Sequence, residues 1–263
     1  MCDTNIEKFI IIDKQGLQSS PIFLFEKLDS TQSYLIEKHG SMPPFSSVWA
    51  KEQTSGHGRR LRPWHQVVGK DLAFSLSFDY PDFEQAPFLP QIFSFTLREF
   101  IEEKLGVTLS LKWPNDLLHG DKKVAGLILS QVNSIINAQN RVIIGIGINV
   151  NSTQTERLDI GRKTMSLSEI SNKTLDLEAF LVGFLNFLNT LVYRISKNPK
   201  VIIPNLLESF NMLEGRQVQI QETFESELIE YEIVGVEEKG GLIVRVPGSG
   251  ILKLLSTIER IEF

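Results

Sequence analysis

Three short segments carry residue types that do chemistry on anions. The first is Gly56-His57-Gly58-Arg59-Arg60-Leu61-Arg62-Pro63-Trp64. Glycines let backbone N–H groups close on an anion. Arginines give bidentate, permanently charged contacts to phosphate or carboxylate. Trp64 offers a face that stacks on an adenine or covers a ligand. No Gly-Lys-Ser/Thr follows, which excludes a Walker A loop. Leu61 stands where a dinucleotide fingerprint needs its third glycine, which excludes that motif too. The plain alternative is a flexible surface loop with incidental charge.

The second segment is Lys112-Trp113-Pro114-Asn115-Asp116, followed by Lys123-Val124-Ala125-Gly126. Pro-Asn-Asp forms a turn, and turn formation alone accounts for Asn115 and Asp116. Lys122 and Lys123 read as a solvated strand end, and Lys123 alternatively as an anion contact. The small residues Ala125 and Gly126 favour the second reading for Lys123, because they let a ligand lie along the strand while the ammonium reaches its charge. The third segment is Gly145-Ile146-Gly147-Ile148-Asn149-Val150-Asn151. Glycines inside a strand mark close backbone approach, to a ligand or to a packed helix, and both uses stay open. Asn149 is polar in a buried strand and must find a hydrogen-bond partner.

The rest of the chain limits what such segments serve. Its 263 residues carry 42% hydrophobic and 22% charged side chains and a formal charge of −5. That suits a large globular domain with a small appended one. An acidic chain lacks the wide basic face of a general nucleic-acid binder. Its clustered arginines suit a small anion better. The one cysteine, Cys2, permits no intrachain disulfide. The opening MCDTNIEKF has no signal-peptide character, and no apolar run reaches the ~18–20 residues of a membrane span. A cytoplasmic protein with no membrane partner is expected.

Periodicity then sets the elements around the segments. Residues 9–12 and 22–25 read as buried strands joined by a Lys14-Gln15-Gly16 turn, and Asp29 or Ser30 caps a helix. Strands follow at 46–53 and 71–79, with a loop at 54–66 between them. An amphipathic helix is expected at 89–105, then strands at 107–113, 123–132 and 141–150, and a polar loop at 152–168. Leu177 to Val192 marks a long helix with one apolar face. Past Leu213 come short strands at 216–220, 229–236, 241–246 and 251–255, the pattern of a small antiparallel barrel. The expected domains are 1–212 and 213–263.

In this order the segments resemble the biotin–protein ligase family. The match runs through Asp29-Ser30-Thr31, Gln53 with the 56–64 loop, 112–116, 123–126 and 147–149, and covers about 22–151. The resemblance implies an α+β fold, with a central mixed sheet flanked by helices as in class II aminoacyl-tRNA synthetases, plus a C-terminal SH3-like barrel. It implies that Ser30, Thr31 and Gln53 hydrogen-bond the biotin ureido ring, with Gly56, His57, Gly58 and Gly126 also on the biotin side. Arg59 and Arg62 would meet phosphates, and Lys123 the α-phosphate and the biotin carboxylate. Trp64, Asn115 and Asn149 would lie on the nucleotide side, and 152–168 would close over adenine. Lys123, Arg59 and Asp116 are the catalytic candidates, with Asp116 placed to orient or deprotonate the acceptor lysine.

The substrates so implied are biotin, ATP with Mg²⁺ (to which the sequence assigns no ligands), and a biotin carboxyl-carrier protein domain. Relatives include monomers and dimers. Two departures stand out. His57 replaces the usual first arginine, and Leu61 replaces an inner glycine, which is expected to stiffen the loop. About twenty residues precede the match, too few for a winged helix-turn-helix, so no operator binding is expected. The rival readings are a lipoate ligase of the same fold and a non-catalytic biotin sensor.

Overall fold

The computed structural model describes residues 6–14, 17–80, 86, 89–133, 140–160, 163–197, 214–223, 225–237, 241–255 and 260–262. The chain divides into two compact units, Met1–Pro199 and Lys200–Phe263. The expected boundary near residue 213 and the Gln15-Gly16 turn lie outside the described residues.

The first unit is built on an eight-stranded sheet. Its strands are β1 (Ile6–Lys14), β2 (Leu17–Leu28), β3 (Ser47–Gln53), β4 (Leu72–Asp79), β5 (Ser110–Lys112), β6 (Asp116–His119), β7 (Lys122–Asn133) and β8 (Asn140–Ile148). The order across the sheet is β1-β2-β3-β4-β8-β7-β6-β5. Only the β2–β3 pair is parallel among those strands, so the sheet is mixed, as expected. The helices are α1 (Thr31–Lys38), α2 (Leu89–Leu105), α3 (Leu167–Ser171) and α4 (Leu177–Lys197). The sequence predicts a turn at 114–116 and assigns no element to 117–122, so β6 is an addition. Its four residues are too few to display a period of two, and it exists because β5 and β7 pair on both its sides.

Alternation gives the two faces of this sheet different jobs. Phe74 and Phe78 of β4 point to the face covered by α2 and α4. There Phe74 meets Phe184 edge-on at 6.2 Å between centroids, and Phe78 stacks on Phe93 at 5.7 Å. Ile144, Ile146 and Ile148 of β8 share the parity of that face and are buried. Each such side chain contributes about 1.5–3 kcal/mol of burial. The opposite face carries Ser75, Gly145 and Gly147, and it receives the short helix α1. Behind α1 sits a smaller core of Phe25, Leu35, Val48 and Ile143. The Gly-Ile alternation of 145–148 is therefore the mark of a strand with an oily side and a bare side.

The second unit is a five-stranded antiparallel sheet of β9 (Gln217–Gln221), β10 (Ile229–Val236), β11 (Leu242–Arg245), β12 (Leu252–Leu255) and β13 (Arg260–Glu262). The order is β12-β11-β10-β9-β13. Val218, Ile220, Tyr231, Ile233, Leu242, Val244 and Leu255 form its core. This is consistent with the expected SH3-like unit; β13 was not foreseen. Tyr231 Oη donates to Glu222 Oε1 at 2.5 Å. Burial first, then Glu222, pushes the phenol up to about 12.

Candidate active site

The bare face gathers most of the residues singled out from the sequence. Ser30 is the helix cap: its Oγ accepts from Ser33 N at 3.3 Å, leaving Thr31 as the first helical residue. The end of β3 is tied to that cap. Thr54 N donates to Leu28 O at 3.0 Å, Ser55 N to Asp29 O at 2.8 Å, and Thr54 Oγ1 to Asp29 Oδ1 at 2.9 Å. These bonds bring Gln53 against the helix start. Its Oε1 accepts from Thr31 N at 2.8 Å and from Thr31 Oγ1 at 3.2 Å, and Thr31 Oγ1 meets Ser75 Oγ at 2.8 Å.

Residues 56–64, expected as a loop, fold as a closed hairpin. Trp64 N donates to Gly56 O at 2.8 Å, Gly58 N to Arg62 O at 2.8 Å, and His57 bridges Pro63. A 3-10 turn at Arg59–Leu61 makes the tip. The hairpin lays Trp64 on the glycine row: a Cβ at Gly147 would fall 2.2 Å from the indole. Indole Nε1 is buried without a hydrogen-bond partner.

Lys123 Nζ lies 5.6 Å from the centre of that ring and 2.6 Å from Asp116 Oδ1. Gly126 makes room for the pair, since a Cβ there would stand 2.6 Å from the ammonium. Arg59 completes the charged end. Burial lowers its pKa from the ordinary arginine value, Arg60 and Arg62 lower it further, and Asp116 pulls the other way. Clustered cations thus face one carboxylate, a field that favours an added anion.

Other candidates are engaged elsewhere. Asn115 donates its side-chain amide to Leu127 O, holding the turn onto β7. Asn149 Nδ2 donates to Lys123 O at 3.1 Å and to Met165 O at 3.4 Å. Both amides thus fix backbone. Arg60 and Arg62 are exposed. His57 Nδ1 lies 3.3 Å from Ser55 O.

The 152–168 stretch, expected as a loop, holds a 3-10 helix at Thr155–Ile160 and ends in the first turn of α3. It runs beside the lysine: Lys123 N donates to Lys163 O at 3.0 Å and Met165 N to Lys123 O at 3.0 Å. Sequence reading missed what anchors it. Asp71, 1% exposed, accepts from Val67 N, Val150 N and Ser152 Oγ at 3.1, 2.9 and 2.7 Å. Burial raises its pKa, and these donors oppose the rise. Arg157 of this stretch pairs with Glu169 of α3. Among the described residues no three His, Cys, Asp or Glu side chains cluster as a metal cage. No helix of the described residues is long and apolar enough to cross a membrane.

Leu61 fits its place badly. Its φ is 60°, after Arg60 at 55°, and its side chain is 79% exposed. A left-handed leucine with little packing costs roughly 1–2 kcal/mol that a glycine escapes. Leu61→Gly is expected to raise the melting temperature by about 2–4 °C, allowing ~1 kcal/mol net in a protein of this size. Leu61→Ala keeps the strain and should give no gain. Equal melting of all three proteins by calorimetry contradicts the strain.

The architecture and this site define a class. Residues 24–149 match the Biotin/lipoate A/B protein ligase family. That segment takes in Ser30, Gln53, Trp64, Asp116 and Lys123. The bifunctional ligase/repressor BirA of Bacillus subtilis is 32% identical over 167 residues, 62% of this chain and 51% of that protein. The human biotin–protein ligase is 26% identical over 271 residues, 95% of this chain and 36% of its own length. A biotin protein ligase from Aquifex aeolicus, solved with biotin and ATP, superposes with a TM-score of 0.73 at 26% identity, covering 92% of this chain and 98% of that one. The chain spans about half the length of the BirA relatives it matches.

Proposed function

We propose that this protein is a biotin–protein ligase: it activates biotin with ATP to biotinyl-5'-AMP, then transfers biotin to a lysine of a biotin carboxyl-carrier domain. One observation carries the reading. A single sheet face holds the Thr31–Gln53 hydrogen-bonding pair, a bare glycine row under Trp64, and the Lys123–Asp116–Arg59 cluster. Polar ring recognition, a flat wall and an anion site thus lie in line, as a ring-bearing acid and a nucleotide need. The Aquifex structure with biotin and ATP and the human ligase support the same assignment.

The protein does little covalent work in the first step. A biotin carboxylate oxygen attacks the α-phosphorus of ATP, the bond to the β-phosphate oxygen breaks, and pyrophosphate leaves. Lys123 and Arg59 reduce the repulsion between the two anions and hold them within bonding range. Magnesium enters with the nucleotide as part of the substrate. Ser30, Thr31 and Gln53 hold the ureido ring, and Gly56, His57 and Gly58 border it. Arg62 meets phosphate from the rim of the hairpin. Trp64 and the 152–168 stretch shield the anhydride from water. In the second step the carrier amine attacks the biotinyl carbonyl and AMP leaves. Asp116, released from Lys123 by the bound anions, accepts the amine proton.

Incubation with biotin, MgATP and a carrier domain should add one biotinyl group to the carrier, seen by mass spectrometry. A mass gain with lipoate instead moves the chain to the lipoate side of its family. Binding of biotin without pyrophosphate release makes it a sensor.

A further inference from the structure

One end of the glycine row holds an acceptor that the fold does not satisfy. Gln32 follows Thr31 in the first turn of α1 and is 2% exposed. Its Nε2 donates to Ser130 Oγ at 3.0 Å and to Ile143 O at 3.1 Å. A main-chain carbonyl only accepts, so the amide nitrogen must face Ile143 and Oε1 must face away. That oxygen is buried and has no hydrogen-bond partner. It lies against Gly145, where a Cβ would stand 2.6 Å from it. Gly145 pairs in register with Ser75, whose hydroxyl meets Thr31. Gly147, under Trp64, is the next residue on the same face, about 7 Å along the strand. The orphan oxygen therefore borders the polar end of the site.

A buried carbonyl oxygen without a donor is uncommon and unfavourable, and a substrate that brings a donor relieves it. Resting on the ligase reading above, we propose that Gln32 is a specificity-determining residue whose Oε1 accepts a hydrogen bond from a ring N–H of the substrate. Biotin's ureido ring carries two such donors. The dithiolane ring of lipoate carries none, and binding it would leave the oxygen stranded. A site built around such an acceptor discriminates more strongly than an apolar pocket does. Ser130 and the Ile143 carbonyl keep the amide from turning to suit the wrong ring.

The test is pyrophosphate release by the full-length wild type and Gln32→Met, with biotin and with lipoate. Methionine keeps the volume and removes both polar atoms. The KM for biotin should rise about tenfold or more with kcat within about threefold, and the preference for biotin over lipoate should shrink by a similar factor. The melting temperature without ligand should fall by no more than a few degrees, since the loss of the bonds to Ser130 Oγ and Ile143 O is offset by removal of an unsatisfied acceptor. An unchanged biotin KM and preference in a folded variant overturns the proposal and leaves the ligase reading intact. Wild-type protein that releases no pyrophosphate with biotin overturns both. Should Gln32→Met fail to fold, Gln32→Met with Ser130→Ala removes the stranded hydroxyl and is measured in its place. If that also fails to fold, the glutamine is a structural residue and the proposal falls.

Discussion

Lys123→Ala should reduce biotin-dependent pyrophosphate release by about a thousandfold. The size follows from charge. Two unit anions ~4 Å apart in an effective dielectric near 20 repel by about 4 kcal/mol, and each 1.36 kcal/mol in the barrier is a factor of ten. Lys123 stands where that repulsion is met: its ammonium is 2.6 Å from Asp116, with 14% of the side chain exposed, beside the indole of Trp64. Arg59 faces Asp116 as well, but its cation already contends with Arg60 and Arg62 and does not replace the lysine. Lys123→Arg should recover part of the rate, because the charge returns on a bulkier, planar head. Asp116→Asn should spare pyrophosphate release and slow transfer to the carrier. Burst measurements with and without carrier separate the two steps. Near-normal pyrophosphate release by Lys123→Ala would remove the lysine from the chemistry.

The charged part of this site was legible in the sequence because it is written in contiguous runs. Residues 56–64 and 112–126 announce arginines, glycines and a lysine beside small residues, and the structure brings Trp64, Asp116, Lys123 and Gly126 together. The two-way reading of Gly145 and Gly147 resolves through alternation. The isoleucines flanking them, Ile144, Ile146 and Ile148, go to the helices, and the glycines admit Gln32 and Trp64. Three kinds of feature were not legible. β6 is too short to show a period. Leu61 could be seen as a departure, but its left-handed backbone could not. Gln32, Asp71 and Arg157 were missed because nothing local distinguishes a buried polar residue from an exposed one. Gln32 finds Ser130 and Ile143 only when α1 docks on β7 and β8, about a hundred residues later in the chain.

Arg157 shows how much such a residue can carry, and its removal should produce the largest loss of stability. Its side chain is 1% exposed and spends every arm. Nη1 donates to Ser152 O and, at 2.7 Å, to Ser152 Oγ; Nε donates to Thr164 Oγ1 at 3.2 Å; Nη2 pairs with the Glu169 carboxylate. One guanidinium thus fastens both ends of the 152–168 stretch to α3. Removing one partner of a buried pair costs about 3–5 kcal/mol. The lower figure applies here, because a quarter of the Glu169 side chain reaches solvent and its carboxylate keeps bonds from Ser166 N and Gln154 N. A loss of ~3 kcal/mol lowers the melting temperature by roughly 6–12 °C at this chain length. The functional effect should fall on the nucleotide. Thr164 bridges Lys123, and Lys163 and Met165 exchange backbone bonds with it, so loosening this stretch frees the strand that aims the ammonium. Arg157→Ala should therefore raise the KM for ATP more than that for biotin. Arg157→Lys should fall between, since a point charge cannot reach four acceptors at once. Melting within a degree of wild type in Arg157→Ala, with both KM values unchanged, would mean that Asp71 and the backbone bonds at Lys123 hold the stretch without it.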